Sequence, residues 1–270
     1  MITSPVDPVK AAAPTTGLYA SAVKPPGGDR WESGMAWRPE RCIALQTFGP
    51  CTDPDTLPVE PDAGVAYHFP TGYRVRDYCT TIGGELDTSR LQRQADAVLS
   101  YALAHELWTG EQSIADPGEL PGSVPFVNDH LAAASATTIV GTGTLAEKFG
   151  QLEQEAREAA LGQQVFLHIP IHLVTPLAEK LRRSGQMLYT ALDSVVVADG
   201  GYPGTGPAGT GTEWAYATGP VQVRASALEI YDDPTQTVNR QNNRQEIWAS
   251  RFIAATFDPC LHLAMNLAAA

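Results

Sequence analysis

The chain has 270 residues, of which 43% are hydrophobic and only 18% charged, and its formal net charge is −12 at pH 7. A chain of this length buries a sizeable core in one large domain or two modest ones. The acidic balance argues against specific recognition of a nucleic-acid backbone, which needs a basic face, since the densest basic cluster is the short group Lys180, Arg182 and Arg183.

The first part of the chain, residues 1–40, is rich in Pro, Gly, Ala and Ser and cannot form a core alone. Read alone it is a disordered segment; alternatively it is an arm that becomes ordered on a neighbouring molecule. Trp31 and Trp37 favour the arm, because disordered tails seldom carry tryptophan. The start shows no signal peptide and no stretch is long enough to span a bilayer, so we expect a cytosolic protein without a membrane partner.

Residues 41–86 are predicted to form an extended loop of short strands between turns. The stretches 41–48 and 64–79 read as strands, and the stretch between them holds four prolines and several acidic residues. Prolines and clustered acids do not suit a central strand, so this middle part is predicted to be an exposed excursion.

The clearest helix is predicted over residues 87–110. Asp87 or Thr88 can cap its first amides, and Gly110 can close its end. Apolar residues follow the i, i+3, i+4, i+7 rule for one buried face; they are Leu91, Ala95, Val98, Leu99, Ala102, Leu103 and Leu107. A helix of about 20 residues would be roughly 30 Å long.

Three further helices are predicted. A short one covers 128–136, and one at 175–185 lies between a Thr-Pro start and a Gly stop. The strongest follows Thr144, which forms a capping box with Glu147. Its expected apolar face comprises Leu145, Phe149, Leu152, Ala156 and Ala159.

Strands dominate the rest of the chain. A buried strand is predicted at 164–170, and seven more follow residue 185, with the sequences QMLYT, SVVVADG, EWAYAT, VQVRAS, ALEIY, RQEIWASRFIAATF and CLHLAMNL. The order lacks the regular strand–helix alternation of a doubly wound sheet, so the chain is predicted to be α+β.

The glycine-rich stretch DGGYPGTGPAGTGTEW at residues 199–214 resembles a phosphate-binding loop in composition only. It has no lysine for a P-loop, and it leads into a strand, so no helix N-terminus faces an anion. A Rossmann fingerprint fails for the same reason. We predict a flexible loop that meets another surface through Tyr202 and its prolines.

Histidines are the main candidates for chemistry. His168 and His172 stand four residues apart, and on a strand they would share a face and could hold zinc. Pro170 argues against the helical version of that site, and the favoured interpretation is two structural histidines. His105 beside Glu106 suits an ordinary helix end. The residues therefore predict no catalytic, cofactor-binding or metal site.

The cysteines stand at 42, 51, 79 and 260, without the close pairs that zinc sites use. With no secretion signal, reduced and incidental thiols are expected.

The order of elements in the second half resembles a known family. A helix ending EQEAREAALG leads to the strand QQVFLHIP; VVVADGGYPGTGP leads to WAYATGPVQVRAS; and the chain closes with NRQNNRQEIWASRFIAATFDPCLHLAMNL. This order resembles the major capsid proteins of tailed bacteriophages with the HK97-type fold and the related encapsulins. The stretches ATGPV and FDPC also resemble virion structural proteins of actinobacterial phages.

The resemblance implies a division of the chain. Residues 1–40 would be the N-terminal arm, 41–86 the extended loop, and 87–143 the long spine helix with part of the peripheral domain. Residues 144–230 would be an axial-domain-like α/β block, and 231–270 returning strands of the peripheral domain.

The resemblance also implies a function: a non-enzymatic subunit that assembles with copies of itself, in pentamers and hexamers, into an icosahedral virion shell around phage DNA. Assembly in the host cytoplasm and contacts with other virion proteins would follow. A charge-poor surface agrees with one that neighbours cover. The alternatives are a tail, connector or decoration protein, or a metal-dependent enzyme that uses His168, His172 or the cysteines.

Overall fold

A computed structural model describes residues 16–26, 30–40, 64–79, 87–111, 128–231, 238–239 and 244–268. It contains both helices and sheets, which confirms the α+β prediction. The helices are α1 (Leu18–Ser21), α2 (Thr88–Thr109) and α3 (Leu145–Ala159). The strands are β1 (Met35–Trp37), β2 (Ala66–His68), β3 (Thr71–Cys79), β4 (Thr137–Ile139), β5 (Phe166–Pro170), β6 (Leu181–Ser184), β7 (Met187–Thr190), β8 (Val195–Asp199), β9 (Trp214–Thr218), β10 (Gln222–Ala225), β11 (Glu229–Tyr231), β12 (Val238–Asn239), β13 (Arg244–Thr256) and β14 (His262–Asn266).

The long helix α2 confirms the prediction for residues 87–110. The Asp87 carboxyl accepts a hydrogen bond from the Arg90 amide at 3.0 Å, and Gly110 ends the helix in the left-handed region at φ 63°. Six of the seven predicted apolar residues are buried or half-buried, whereas Val98 is 40% exposed. Local capping and periodicity therefore define this helix.

A seven-stranded sheet forms the larger part of the fold, in the order β4-β14-β9-β5-β8-β7-β6. Its centre is the parallel pair β5 and β8, and β9 runs antiparallel to β5. The helix α3 covers one face, where Leu152 and Ala156 pack against Leu167 and Ala217. The C-terminal half of α2 covers the other face. Because both faces are covered, the central strands are buried along almost their whole length and are mainly apolar.

The second sheet is organised by the 13-residue strand β13. Strand β3 pairs along one side of it, while β10, β11 and β12 pair in succession along the other. The N-terminal half of α2 covers one face, where Leu91 and Ala95 pack against Ile247 and Ala249. The helix α2 thus joins the two sheets into one body.

Most of the predicted strands are confirmed. The buried strand at 164–170 is β5, and the seven later stretches correspond to β7, β8, β9, β10, β11, β13 and β14. The stretch 64–79 divides into β2 and β3 around Phe69 and Pro70. The predicted strand at 41–48 and the excursion after it lie outside the described residues.

Two predicted helices are wrong. Residues 131–136 of the stretch 128–136 form turns, and the stretch 175–185 contains only one 3-10 turn before it becomes β6. Gly185, at φ 60°, forms the β6–β7 hairpin turn instead of ending a helix. Pairing with β7 supplies the backbone hydrogen bonds that a helix would have made, so the hairpin partner overrides the helical preference of these residues.

The capping box of α3 contributes measurably to the free energy of unfolding. The Thr144 hydroxyl accepts from the Glu147 amide, and the Glu147 carboxyl accepts from the Thr144 amide at 2.7 Å. We expect T144A to lower the free energy of unfolding by about 1 kcal/mol, measured by urea denaturation. The matched control is T175A, because Thr175 is exposed and caps no helix. Equal effects of the two substitutions would contradict the assignment of the cap.

Candidate functional site

The glycine-rich stretch is packed onto its own chain. Tyr202 is only 4% exposed, and the Thr205 carbonyl accepts hydrogen bonds from Trp108 Nε1 and from the Tyr216 hydroxyl, both at 3.0 Å. A Cβ at Gly206 would overlap the Trp214 ring, so only glycine fits there. Residues 200–213, here called the glycine loop, are therefore held against the C-terminal end of α2. The surface that Tyr202 meets belongs to the same molecule.

His168 lies beneath the glycine loop and is fully buried in β5. The Thr218 hydroxyl donates to the Gly219 carbonyl at 2.8 Å, so it accepts from His168 Nε2, which lies 2.9 Å away. His168 Nδ1 then accepts from the Tyr202 hydroxyl at 3.0 Å. This assignment makes His168 a neutral Nε2–H tautomer whose two nitrogens are both satisfied.

Burial determines the protonation states of His168 and Tyr202. It lowers the pKa of His168 to about 3, and the neighbouring His262 contributes in the same direction. Burial also raises the pKa of Tyr202, and the Asp199 charge adds to that effect. Both groups are neutral at pH 7. The arrangement lacks a charged base or an activated nucleophile and fits a positioning role.

Asp199, at the end of β8, joins three elements through one buried carboxyl group. Its Oδ2 accepts from the Leu18 amide at 2.9 Å and from the Ser100 hydroxyl at 2.7 Å. Its Oδ1 accepts from the Gly201 amide at 3.0 Å. Residues 16–26, here called the N-terminal segment, are thereby connected to α2 and to the glycine loop. Reasoning from sequence missed this role, although Asp followed by two glycines is a local turn signal.

Two further contacts hold the N-terminal segment. Gly17 has φ 97°, and a Cβ at this position would overlap the Asp199 carboxyl group. Val23 forms a parallel bridge to β10: its amide donates to the Val221 carbonyl at 2.8 Å, and its carbonyl accepts from the Val223 amide at 2.9 Å. This part of the predicted arm therefore docks on its own chain; residues 1–15 lie outside the described residues.

The other histidine candidates do not converge. His172 is exposed in a 3-10 turn, while His168 is buried among hydroxyl groups. His105 stacks on Tyr101 at 5.9 Å, and Glu106 is buried. Within the ranges that the structure describes, no three His, Cys, Asp or Glu side chains are grouped to hold a metal ion.

The expected state of the cysteines needs one correction. Cys260 is disulfide-bonded, so the prediction of reduced thiols is wrong for this residue. The prediction relied on the absence of a secretion signal, which does not report which sulfur atoms the fold brings together. Cys42 and Cys51 lie outside the described residues, and Cys79 is described only through its place in β3.

The basic cluster lies at the edge of the seven-stranded sheet. Arg182, on β6, forms an ion pair with Asp193 and lies over the Tyr189 ring. Arg183 donates to the Gly185 carbonyl at 3.0 Å, and Lys180 precedes the strand in a 3-10 turn. The β6–β7 hairpin uses both arginines in local contacts.

Exposed apolar side chains mark surfaces that this chain leaves uncovered. One group lies on α2, with Val98 and Tyr101. A second lies around β2, and a third on the second sheet, on the face away from α2, where Phe252 is 47% exposed beside a groove of about 410 Å³. Tyr231 stacks on Trp248 at 5.5 Å on that face. Several exposed aromatic groups on one small protein are typical of interaction surfaces.

No protein-family model and no curated sequence matches the chain. Solved structures do match it. The capsid of a native GTA particle matches with a TM-score of 0.56 at 10% identity, over 99% of this chain and 96% of that chain. The chain has the HK97-type capsid fold. A chain of Mycobacterium phage Che8 also matches, with a TM-score of 0.52 at 9% identity, over 99% of this chain and 96% of that chain. A chain of Gordonia phage Cozz matches with a TM-score of 0.51 at 14% identity, over 99% of this chain and 90% of that chain.

The capsid fold confirms the architecture that the order of elements predicted. Its long helix is α2, and the glycine loop joins two strands of the seven-stranded sheet. Among the helices in the described ranges, none has the combined length and apolar character of a bilayer span.

Proposed function

We propose that the protein is a structural subunit of an icosahedral phage shell, which assembles with copies of itself into pentamers and hexamers. The observation that carries the proposal is the match to the GTA capsid over nearly the full length of both chains. An isolated domain borrowed for another purpose would match only part of such a subunit. The proposed role is packing, with no catalytic residue, cofactor or metal.

The surface of the chain supports this proposal. Uncharged and aromatic side chains are exposed on α2, around β2 and on the second sheet, as expected where neighbouring subunits bury them. The net charge of −12 would keep the shell wall from adhering to packaged DNA. We propose the virion as the final location and the host cytoplasm as the place of assembly, with other virion proteins as further partners.

The proposed domain division follows the two sheets. The block 144–230 supplies α3 and strands β5 to β9 of a proposed axial domain. This division differs from the one predicted from the sequence, because β4 and β14, from the segments 87–143 and 231–270, lie in the same seven-stranded sheet. Strands β10 and β11 of the block belong to the second sheet instead. The second sheet, with the N-terminal half of α2, would be the peripheral domain. Residues 41–86 would be an extended loop, of which β2 and β3 are the described part.

The direct test is light scattering on the purified full chain after size-exclusion chromatography, with electron microscopy of the large fraction. We expect hollow particles, or rings of five and six subunits, far larger than the 28.8 kDa chain. The particle diameter would give the size class of the shell. Open tubes or small flat rings would instead favour a tail or connector protein, and a monomer at all concentrations would contradict self-assembly.

A further inference from the structure

We propose that Asp199 couples the N-terminal segment to the glycine loop, so that the two dock and release together. This inference goes beyond the proposed function, because it describes a conformational coupling within one subunit that does not require assembly. It makes Asp199 a positioning residue for both segments.

The first argument is the sharing of one carboxyl group. The two segments use its two different oxygens: Leu18 donates to Oδ2, and Gly201 donates to Oδ1. Asp199 is only 7% exposed, so its oxygens depend on these protein donors. If the N-terminal segment leaves, Oδ2 loses a donor and gains access to water. The Ser100 hydroxyl still donates to Oδ2, but the carboxyl group is held by one bond fewer, and the bond to Gly201 loosens.

The second argument is shared packing. Leu18 is fully buried in the same apolar cluster as Trp108 and Tyr202, and Trp108 donates to the carbonyl of Thr205 in the glycine loop. The Trp108 and Tyr202 rings lie 4.9 Å apart. Removal of Leu18 would open this cluster next to the loop. Apolar burial and hydrogen bonding therefore couple the two segments in the same direction.

Coupling of this kind is reciprocal. The glycine loop has a second attachment, which does not involve Asp199: the hydrogen bond from Tyr202 to His168. Loosening the loop at that end should release the N-terminal segment, although Tyr202→Phe leaves the bonds of Asp199 in place. The structure thus offers one substitution at each end of the coupled unit.

The experiment is amide hydrogen exchange of the unassembled full chain, followed by mass spectrometry. Protection is read in 18–23 and in 200–206, with α3 as the internal reference. At one end, Gly17→Ala places a Cβ against Asp199 at a positive φ. At the other end, Tyr202→Phe removes the bond to His168. Each variant is expected to accelerate exchange about tenfold in both segments and to leave α3 unchanged. The control is Gly72→Ala, because Gly72 is exposed on β3, outside both segments and α3, and a Cβ there would make only ordinary contact with Phe252 at 3.7 Å.

Acceleration confined to the mutated segment would overturn the proposal. Equal acceleration in α3 would also overturn it, since that pattern reports a global loss of stability. If Gly17→Ala does not fold, Ser100→Ala replaces it, because it removes one donor to Asp199 Oδ2 without backbone strain. A failure of the chain to assemble would leave this measurement unaffected, so the outcome is distinct from that of the proposed function.

Discussion

Acidification from pH 7 to pH 5 is expected to remove about 6 kcal/mol from the free energy of unfolding of the unassembled chain. Three buried histidines carry the effect. Burial lowers the pKa of His168 to about 3 and the pKa values of His68 and His262 to about 4. In the unfolded chain each has an ordinary pKa near 6.5. Between these values the unfolded chain binds more protons than the folded one, so stability falls as the pH falls.

The pH window follows from the same values. The contribution of the three histidines to the free energy of unfolding is complete above about pH 6.5. It declines with acidification and is fully lost below about pH 3 to 4. At pH 5 each histidine accounts for a loss of about 2 kcal/mol in the free energy of unfolding. The sum for the three is comparable with the total stability of a domain. Hydrogen bonds at both ring nitrogens hold neutral His168 in place. His262 Nε2 donates to the Leu131 carbonyl, which raises the pKa of His262, but the lowering by burial is larger.

The measurement is the free energy of unfolding, obtained by urea denaturation at several pH values. The slope of this free energy against pH gives the number of protons taken up on unfolding. The wild-type slope should approach about three protons near pH 5. His68→Leu should reduce it by about one, because burial keeps His68 neutral in the folded chain and it takes up a proton on unfolding. Among the described residues, its buried Nε2 has no hydrogen-bond partner that leucine would leave unpaired. The control Phe252→Leu, at a 47% exposed position, removes no titratable group and should leave the slope unchanged. A wild-type slope below about one proton would refute the buried neutral histidines.

Replacing Trp108 with alanine is expected to destabilise the subunit by about 3 to 5 kcal/mol. Trp108 is fully buried where α2 meets the seven-stranded sheet. Its ring lies 4.9 Å from both the Tyr202 and the Tyr216 rings, and its Nε1 donates to the Thr205 carbonyl at 3.0 Å. The substitution opens a cavity and removes one of the two donors to that carbonyl.

Two variants separate these causes. Trp108→Phe keeps an aromatic ring but loses the donor, so about 1 to 3 kcal/mol should be lost. Tyr101→Ala is the matched control, since Tyr101 is on the same helix and 54% exposed; it should cost less than about 0.5 kcal/mol. Stability is measured by urea denaturation with circular dichroism, which does not depend on the fluorescence of the mutated residue. A similar loss for Trp108→Ala and Tyr101→Ala would refute the buried contact.

The elements predicted best from the sequence are those whose signals lie within a few residues of one another. Asp87 and Gly110 define the ends of α2, and Thr144 with Glu147 defines the start of α3. The apolar runs of β5 and β8 need only burial on both faces. In these helices and strands the hydrogen-bond donors and acceptors, or the spacing of the apolar residues, lie within a short stretch of the chain. The sequence therefore already contains the physical cause of each element.

The failures occur where a partner outside the predicted segment decides. The residues of β6 have the composition of a helix, but β7 pairs with them, and the Gly-rich stretch has the composition of a free loop, but α2 and β9 hold it. A disulfide at Cys260 depends likewise on what the fold brings near it.

The sequence by itself determined the fold class, the two main helices and most of the strands, because local capping and apolar periodicity specify them. The likeness to capsid proteins came from a resemblance in the order of elements. Only the tertiary structure decided the roles of Asp199 and His168. Leu18 and Asp199 are 181 positions apart, and His168 and Thr218 are 50 apart. No local pattern encodes such a pairing, since its energy arises only when the whole chain has excluded water from both groups.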